Sequence, residues 1–491
     1  MKSAIKLVLS AGVVAALSWA AALAVQTPAG AATPASSATS NYGSFNSVSC
    51  PSAGNCAAAG VFGPDNEYQA IVNNETNGKW GRDKQIAGLS SLPGGTLFSS
   101  QLVAVSCPTV GNCGAGGWYT TNDNFEGSLV VDEKGGVWGS VQPIDTSHLK
   151  GGPAVYAQIA YLSCPAPGDC TAAGSYVSKT TSSVFVVSEQ DGTWGPAEDL
   201  PGKITVDNYA TVSGIFTLSC STPGNCVVGG SHRGSRDNAV HAAWVATETN
   251  GVWGIVQDVP GIKVVSDAQA ATNSVSCTAG GNCTAVGYYQ THLPGLYNYP
   301  DHPFITSRVH GRWGPIQTVP GLETLPTGGT APAILDLVWC RSAGYCVAVG
   351  HYPGPTASAR WFSVTERNGT WGKAVNLRTG ARTHIYITTM SCTSLANCSA
   401  GGYYYLSPTN IWEGAFVIGK ANGAWGKAEQ IPGLNRLNHG GYAHTNSVSC
   451  YAPGSCVAAG DAAPRQRLFD YPIIATEIAG TWGNATEPRL P

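Results

Sequence analysis

Eight copies of one pattern fill this chain, and all sixteen of its cysteines belong to them. Each copy reads roughly S-x-S-C, five residues, C-x-A-x-G, a variable stretch, an apolar run and then G-x-W-G. The cysteines fall into the pairs Cys50/Cys56, Cys107/Cys113, Cys164/Cys170, Cys220/Cys226, Cys277/Cys283, Cys340/Cys346, Cys392/Cys398 and Cys450/Cys456. The matching tryptophans are Trp80, Trp138, Trp194, Trp253, Trp313, Trp371, Trp425 and Trp482. Self-similarity at a fixed period decides architecture before local propensity does. First cysteines recur every 52 to 63 residues, which suits one four-stranded propeller blade per copy.

The third copy shows how a blade is written. Tyr161-Leu162-Ser163-Cys164 reads as a short strand, and Pro165-Ala166-Pro167-Gly168-Asp169 as a turn. Cys170 to Tyr176 is the return strand, so the cysteine pair staples one hairpin. Paired strands bring Cα atoms to about 4.5–5.5 Å, within disulfide range, and bridges over so short a loop act as local register pins. Val184 to Glu189 is a β-branched and aromatic third strand, and Thr193-Trp194-Gly195 opens a fourth running toward Leu200. Asn77-Gly78, Asn250-Gly251, Asn368-Gly369 and Asn422-Gly423 occupy the turn before it in other copies, and Asn-Gly tolerates the positive φ of a tight hairpin. The expected fold is all-β: an eight-bladed β-propeller with one intra-hairpin disulfide per repeat and the tryptophans packed between blades. No split blade is evident, so closure would rest on packing and terminal pairing. A solenoid or two smaller propellers is the alternative.

A charged start (Lys2, Lys6) precedes an apolar run from Leu7 to about Val25, and Ala22-Leu23-Ala24 offers a signal-peptidase site. Residues 1–24 therefore read as a signal peptide, 25–40 as a Thr/Pro/Ala/Ser-rich spacer and 41–491 as the propeller, with a retained anchor as the alternative. Export favours disulfides over zinc, since each cysteine pair has no further ligand at zinc spacing. Only 11% of residues are charged, and the net charge is −3, or −5 without Lys2 and Lys6. Nothing in that balance suggests nucleic acid or an anionic membrane surface as a partner, and neither is expected. A secreted, extracellular monomer is expected.

The S-C-x5-C-x-A-x-G signature resembles secreted actinobacterial repeat proteins with disulfide-stapled blades. That resemblance implies a propeller. The turn Ser188-Glu189-Gln190-Asp191-Gly192-Thr193-Trp194 is similar to the Asp-box of sialidase-type propellers, with different spacing, so that likeness extends to architecture only. The Arg-Ile-Pro motif of sialidases is missing, as are the motifs of quinoprotein dehydrogenases and the common hydrolase and phosphate-loop signatures.

Short connections between strands one and two, and three and four, fall on one face. The long, variable connections share the other, where function usually sits. Residues without equivalents in the other copies are the sharper clue, because shared packing does not explain them. His232, Arg233, Arg236, Asp237 and His241 break the pattern in copy four. Tyr289, His292, Tyr297, Tyr299, Asp301 and His302 do so in copy five, and Tyr403, Tyr404, Tyr405, Trp412 and Glu413 in copy seven. Connections between blades add His384, Tyr386, His439, Tyr442 and His444. His232, Arg233, Arg236, Tyr289, His292, Tyr297, Tyr299, Trp412 and Tyr442 are the candidate ligand contacts. Against this, Tyr119, Tyr176, Tyr289, Tyr352 and Tyr404 all recur after C-x-A-x-G and could simply cap their blades.

Aromatic faces with a polar fringe suit sugar rings, so the expected function is binding of a glycan or cell-wall polymer. The alternative is a glycoside hydrolase or polysaccharide lyase in the same pocket. Hydrolysis needs two carboxylates astride the bond; Asp123, Glu126, Asp237, Asp301, Glu413 and Asp461 are available. Elimination would use a base such as His232 or His302, with Arg233 or Arg236 neutralising a uronate. No cofactor is expected; calcium is the weaker alternative, at Asp65-Asn66-Glu67 or Asn122-Asp123-Asn124.

Overall fold

The structure is a computed structural model describing residues 41–488 except 65–66, 203, 205–213, 234–240, 263–267, 292–299, 327–331, 355–358, 381–382, 408–409 and 466–469. At residues 41, 233, 383, 406–407 and 410–412 it describes the backbone alone. Each repeat folds as an antiparallel meander. In blade 3 the strands are Tyr156–Ala166, Asp169–Val177 and Ser182–Gln190, followed by a fourth in two pieces, Thr193–Trp194 and Glu198–Asp199. The expected fourth strand is thus interrupted at Gly195, whose N–H turns back to the Ser188 carbonyl. Eight such blades follow one another, and a single parallel pair, Tyr156 with Glu126, merges blades 2 and 3 into one sheet.

All eight expected disulfides form within their hairpins: Cys50–Cys56, Cys107–Cys113, Cys164–Cys170, Cys220–Cys226, Cys277–Cys283, Cys340–Cys346, Cys392–Cys398 and Cys450–Cys456. Two details correct the expectation. Their Cα atoms stand 3.9–4.1 Å apart, nearer than the 4.5–5.5 Å of an ordinary strand pair, and a register shift sits directly beside the cysteine in most copies.

The bridges are also more than hairpin pins. The second cysteine of every pair (Cys56, Cys113, Cys170, Cys226, Cys283, Cys346, Cys398 and Cys456) is buried, because its sulfur is part of the packing between blades. Cys56 packs with Val457 and Ile474 of blade 8, Cys283 with Val227 and Val245 of blade 4, and Cys456 with Val417 of blade 7. Cys398 packs against Val347 of blade 6. Cys226 Sγ meets Thr171 Oγ1 of blade 3 at 3.3 Å, and Cys346 Sγ meets Thr284 Oγ1 of blade 5 at 3.5 Å. These cysteines are core residues of the seams, and none is a ligand contact at the long-connection end.

Asn77/Gly78 and Asn250/Gly251 take φ of 51°/78° and 50°/78°, the double left-handed turn their sequence demands. The motif glycine has an equally specific cause. The innermost strand bulges opposite it, so a Cβ there would lie 1.8–2.1 Å from a carbonyl oxygen of that strand in all eight copies.

Blades join along their innermost strands: Asn41–Ser52, Leu97–Thr109, Tyr156–Ala166, Gly214–Thr222, Ala270–Thr278, Ile334–Ser342, Thr383–Ser394 and Tyr442–Ala452. In seven of the eight blades the serine before the first cysteine accepts the N–H of the equivalent cysteine in the next blade. Ser49 takes Cys107, and Ser106, Ser163, Ser219, Ser276 and Ser391 repeat the rung at 2.9–3.2 Å. Ser449 of blade 8 accepts from Cys50 of blade 1 at 3.0 Å, and Ser447 from Val48 at 3.1 Å. Phe45, Val48 and Ile71 of blade 1 pack with Val457, Ala459 and Ile474 of blade 8. The ring is therefore closed, with no strand borrowed between its first and last blades.

Blade 6 carries Trp339 in place of the serine, and the rung to blade 7 is missing. Trp361 Nε1 donating to the Ile385 carbonyl at 2.7 Å, and Lys420 Nζ to Thr365 Oγ1 at 3.1 Å, hold that seam instead. The motif tryptophans pack against the preceding blade: Trp138 Nε1 reaches Asn74 and Trp194 Nε1 reaches Asp132. Among the described residues no helix is long and apolar enough to cross a membrane.

Candidate functional site

One level of the ring holds the same backbone pair in every blade and a different pair of side chains in each. It lies near the long-connection end, where the residue six before the first cysteine pairs with the residue after the motif glycine. Blades 1 to 4 place Ser44/Val61, Gln101/Trp118, Gln158/Ser175 and Gly214/Ser231 there. Blades 5 to 8 place Ala271/Tyr288, Ile334/His351, Tyr386/Tyr403 and His444/Asp461. The backbone pairing is the same at this level in every blade, and the side chains it carries are not.

His444 is the centre of the richest group. Its Nε2 meets Glu413 Oε2 of blade 7, and its Nδ1 lies 3.7 Å from Asp461 Oδ2. Asn446 Nδ2 donates to Asp461 Oδ1 at 2.7 Å, to Ser44 Oγ at 3.1 Å and to the Phe45 carbonyl at 3.2 Å, tying the group to blade 1. Two tyrosines flank the imidazole, and two more pack behind one of them. Tyr403 stands 4.6 Å and Tyr442 5.0 Å from it, centroid to centroid. Tyr386 stacks on Tyr403 at 5.0 Å, and Tyr405 closes edge-on against both.

Burial works against a charged His444, but the Glu413 hydrogen bond and the Asp461, Glu413 and Asp470 charges outweigh it and raise its pKa. The same surroundings suppress phenolate formation. Burial, then the Glu413 charge, drives Tyr403 above the usual phenol range and Tyr405 up to about 12. Burial, then Asp461 and Asp470, does the same to Tyr442, which hydrogen-bonds Asp470. His444 is thus biased toward its protonated form, held between carboxylates and beside tyrosine rings that stay neutral.

A second group lies at the same level on blades 5 and 6. His351 Nδ1 meets Asp336 Oδ2 at 2.7 Å, Trp361 packs 5.2 Å from the imidazole, and the Asp301 charge acts on it from blade 5. Gln290 Nε2 donates to Asp301 Oδ1 at 2.9 Å.

Of the residues singled out from sequence, Glu413 and Tyr442 meet at His444. Asp301 belongs to the second group. His302 turns to the other side of its strand, bonding Thr291 Oγ1 at 2.8 Å and lying 5.3 Å from Tyr289. His232 bonds Asp258 Oδ1 at 2.9 Å within blade 4 and joins neither group. Tyr119, Tyr176, Tyr352 and Tyr404 are buried in their blades, and Tyr289 is half-buried against its own. Arg236, Asp237, His292, Tyr297 and Tyr299 lie outside the described residues, as do the side chains of Arg233 and Trp412 and the Asp65-Asn66 pair. Asp123 is exposed, and among the described residues no three His, Cys, Asp or Glu side chains are grouped to hold a metal ion. Ser44, Asn446 and Asp470 were not singled out from sequence; Ser44 and Asn446 occupy positions whose partners lie one blade away.

No family model matches the chain, and no curated protein does. Among solved structures, an ulvan lyase of a polysaccharide lyase family aligns over 79% of this chain and 96% of its own, at 10% identity and a TM-score of 0.44. The polysaccharide lyase Uly1 aligns over 78% and 90%, at 9% identity and 0.42. The NanB sialidase from Streptococcus pneumoniae aligns over 92% and 86%, at 10% identity and 0.36.

Proposed function

We propose that the protein is an exported glycan-binding protein whose site is the tyrosine-lined group at His444. The observation that carries this reading is the cluster of Tyr386, Tyr403, Tyr405 and Tyr442, two of whose rings pack on the His444 imidazole. A pyranose ring presents one apolar C–H face and a fringe of hydroxyls. Rings of tyrosine take the face, while Glu413, Asp461 and the phenol hydroxyls take the fringe. Eight disulfides suit an oxidising compartment, where such polymers are met.

A second reading rests on the same imidazole. Glu413, His444 and the neighbouring phenols are groups that could pass a proton to or from a polysaccharide. Glycoside hydrolysis by Glu413 and Asp461 is the weaker form of it, because both contact one imidazole rather than standing on either side of an open space.

A panel of neutral, acidic and amino polysaccharides, scored for retention, reducing ends and unsaturated products, separates the two. Retention without products, lost in Tyr403→Ala, supports the binder. Products that vanish in His444→Ala support the enzyme. A protein that neither retains nor cleaves any polymer sinks both.

A further inference from the structure

The opposite, disulfide-bearing face carries a feature that the proposed glycan site does not use. The residue five before the motif tryptophan is glutamate in six copies: Glu75, Glu133, Glu189, Glu248, Glu366 and Glu477. All six are buried, each paired across its hairpin with that tryptophan. Such a carboxylate needs a donor from the neighbouring blade. At the seam of blades 1 and 2, Asn74 supplies it. Its Nδ2 donates to Glu133 Oε1, while its Oδ1 accepts from Trp138 Nε1 at 2.9 Å. One amide satisfies both groups.

At the next seam the residue equivalent to Asn74 is Asp132. It still accepts from the indole, with Trp194 Nε1 3.2 Å from each of its oxygens. It has no N–H to offer Glu189. Glu189 is 3% exposed, and no N–H or hydroxyl of the neighbouring blade reaches its carboxylate oxygens; its partner is the Asp132 carboxyl, with which it shares a hydrogen bond. Burial first, then the Asp132 charge, pushes Glu189 up to about 7. The residue lines two grooves, of about 380 Å³ between blades 2 and 3 and about 260 Å³ between blades 3 and 4. Asp132, Glu133 and Asp191 line the larger with it, and Lys134 reaches across to the Gly192 carbonyl at 3.4 Å.

We propose that Asp132 and Glu189 form a binding site for a hard cation at the seam of blades 2 and 3, opening into the larger groove. Two facing carboxylates supply the charge, and the groove admits the waters and carbonyl oxygens that fill the remaining positions of an ion such as Ca²⁺. The cation takes the place of the N–H donor that Asn74 provides one seam earlier. Lys134 is its competitor, since an ammonium group at the groove mouth repels a bound ion.

Terbium tests this directly, because Trp194 is hydrogen-bonded to one proposed ligand and close enough to sensitise its luminescence. Wild-type protein is titrated with Tb³⁺ and the signal displaced with Ca²⁺. Asp132→Asn restores the arrangement found around Asn74, so it keeps the fold, and it should weaken both titrations by at least about tenfold through the lost ligand charge. Lys134→Gln should strengthen them. Equal signals from wild type and Asp132→Asn, or a wild type that Ca²⁺ at millimolar levels neither displaces nor stabilises, overturns the proposal. A melting temperature that follows pH alone assigns the position to a proton and overturns it equally.

Discussion

Glu248 gives the sharpest measure of what the buried acids cost. It is 3% exposed, its Oε2 has no partner, and burial, then the Glu198 charge, raises it from the ordinary 4.5 to about 7. A folded pKa above the unfolded one means the folded state holds the proton more tightly. The benefit is complete below about pH 4.5 and is lost as pH rises through about 7. Moving from 4.5 to about 7 corresponds to roughly 3 kcal/mol, and water entering the adjoining groove reduces this to about 1–3 kcal/mol. Glu248→Gln removes the charge at nearly constant shape. Whatever the new amide gains or loses in hydrogen bonding is common to both pH values and cancels in the comparison. At pH 8 the variant should therefore gain about 1–3 kcal/mol relative to its own difference from wild type at pH 4.5. With an unfolding entropy of about 2.1 cal/mol/K per residue, a chain of this length moves by roughly 1 °C per kcal/mol. Near-UV circular dichroism melts of both proteins at both pH values read the difference. The same shift at pH 4.5 and pH 8, or a variant less stable at pH 8 only, refutes the burial argument.

Three further perturbations probe the ring. Ser449→Ala removes the acceptor of the Cys50 N–H at the closing seam and should cost about 1–2 kcal/mol in urea unfolding; no change would mean that closure does not depend on this rung. Trp361→Phe keeps the ring but loses the hydrogen bond to Ile385, at the seam without a serine rung, and should cost about 1 kcal/mol; hydrogen exchange should rise first in blades 6 and 7, and uniform exchange would contradict it. His444 has a raised pKa, so its stabilising contribution is full below about 6.5 and fades as pH climbs through the folded value. His444→Gln should accordingly cost more stability at pH 5.5 than at pH 9, and the reverse order would remove the imidazolium from the site.

The blades were readable because their determinants are local. Cys164 and Cys170, the Asn-Gly turns and the run from Val184 to Glu189 each act within a dozen residues. The seams were not, because Ser49 and Cys107 are 58 residues apart and the serines stood in the signature without a visible partner. The same holds for the second cysteines: the pairing of Cys226 with Cys220 is local, whereas its contact with Thr171 belongs to the preceding blade. At the candidate site, composition drew attention to Tyr403, Tyr404 and Tyr405 together. Strand alternation then divides them: Tyr404 faces its own blade against Phe416, while Tyr403 and Tyr405 face the imidazole and its neighbours. Glu413, Tyr442, His444 and Asp461 were each conspicuous but come from two blades, and only register brings them together. The buried glutamates were the real omission. Their fixed place before the tryptophan was legible, yet a recurring acid on short turns passes for a solvated one until its burial is known.

Closure by repeated serine rungs, with no strand shared between the ends, leaves the position of the termini mechanically arbitrary. Joining residue 488 to residue 41 through a short linker and cutting the chain in another long connection would create a permuted sequence whose eight joints are the same set in a different order. Such rearranged chains should assemble into the same wheel, and how readily each does so would rank the joints by the order in which they form.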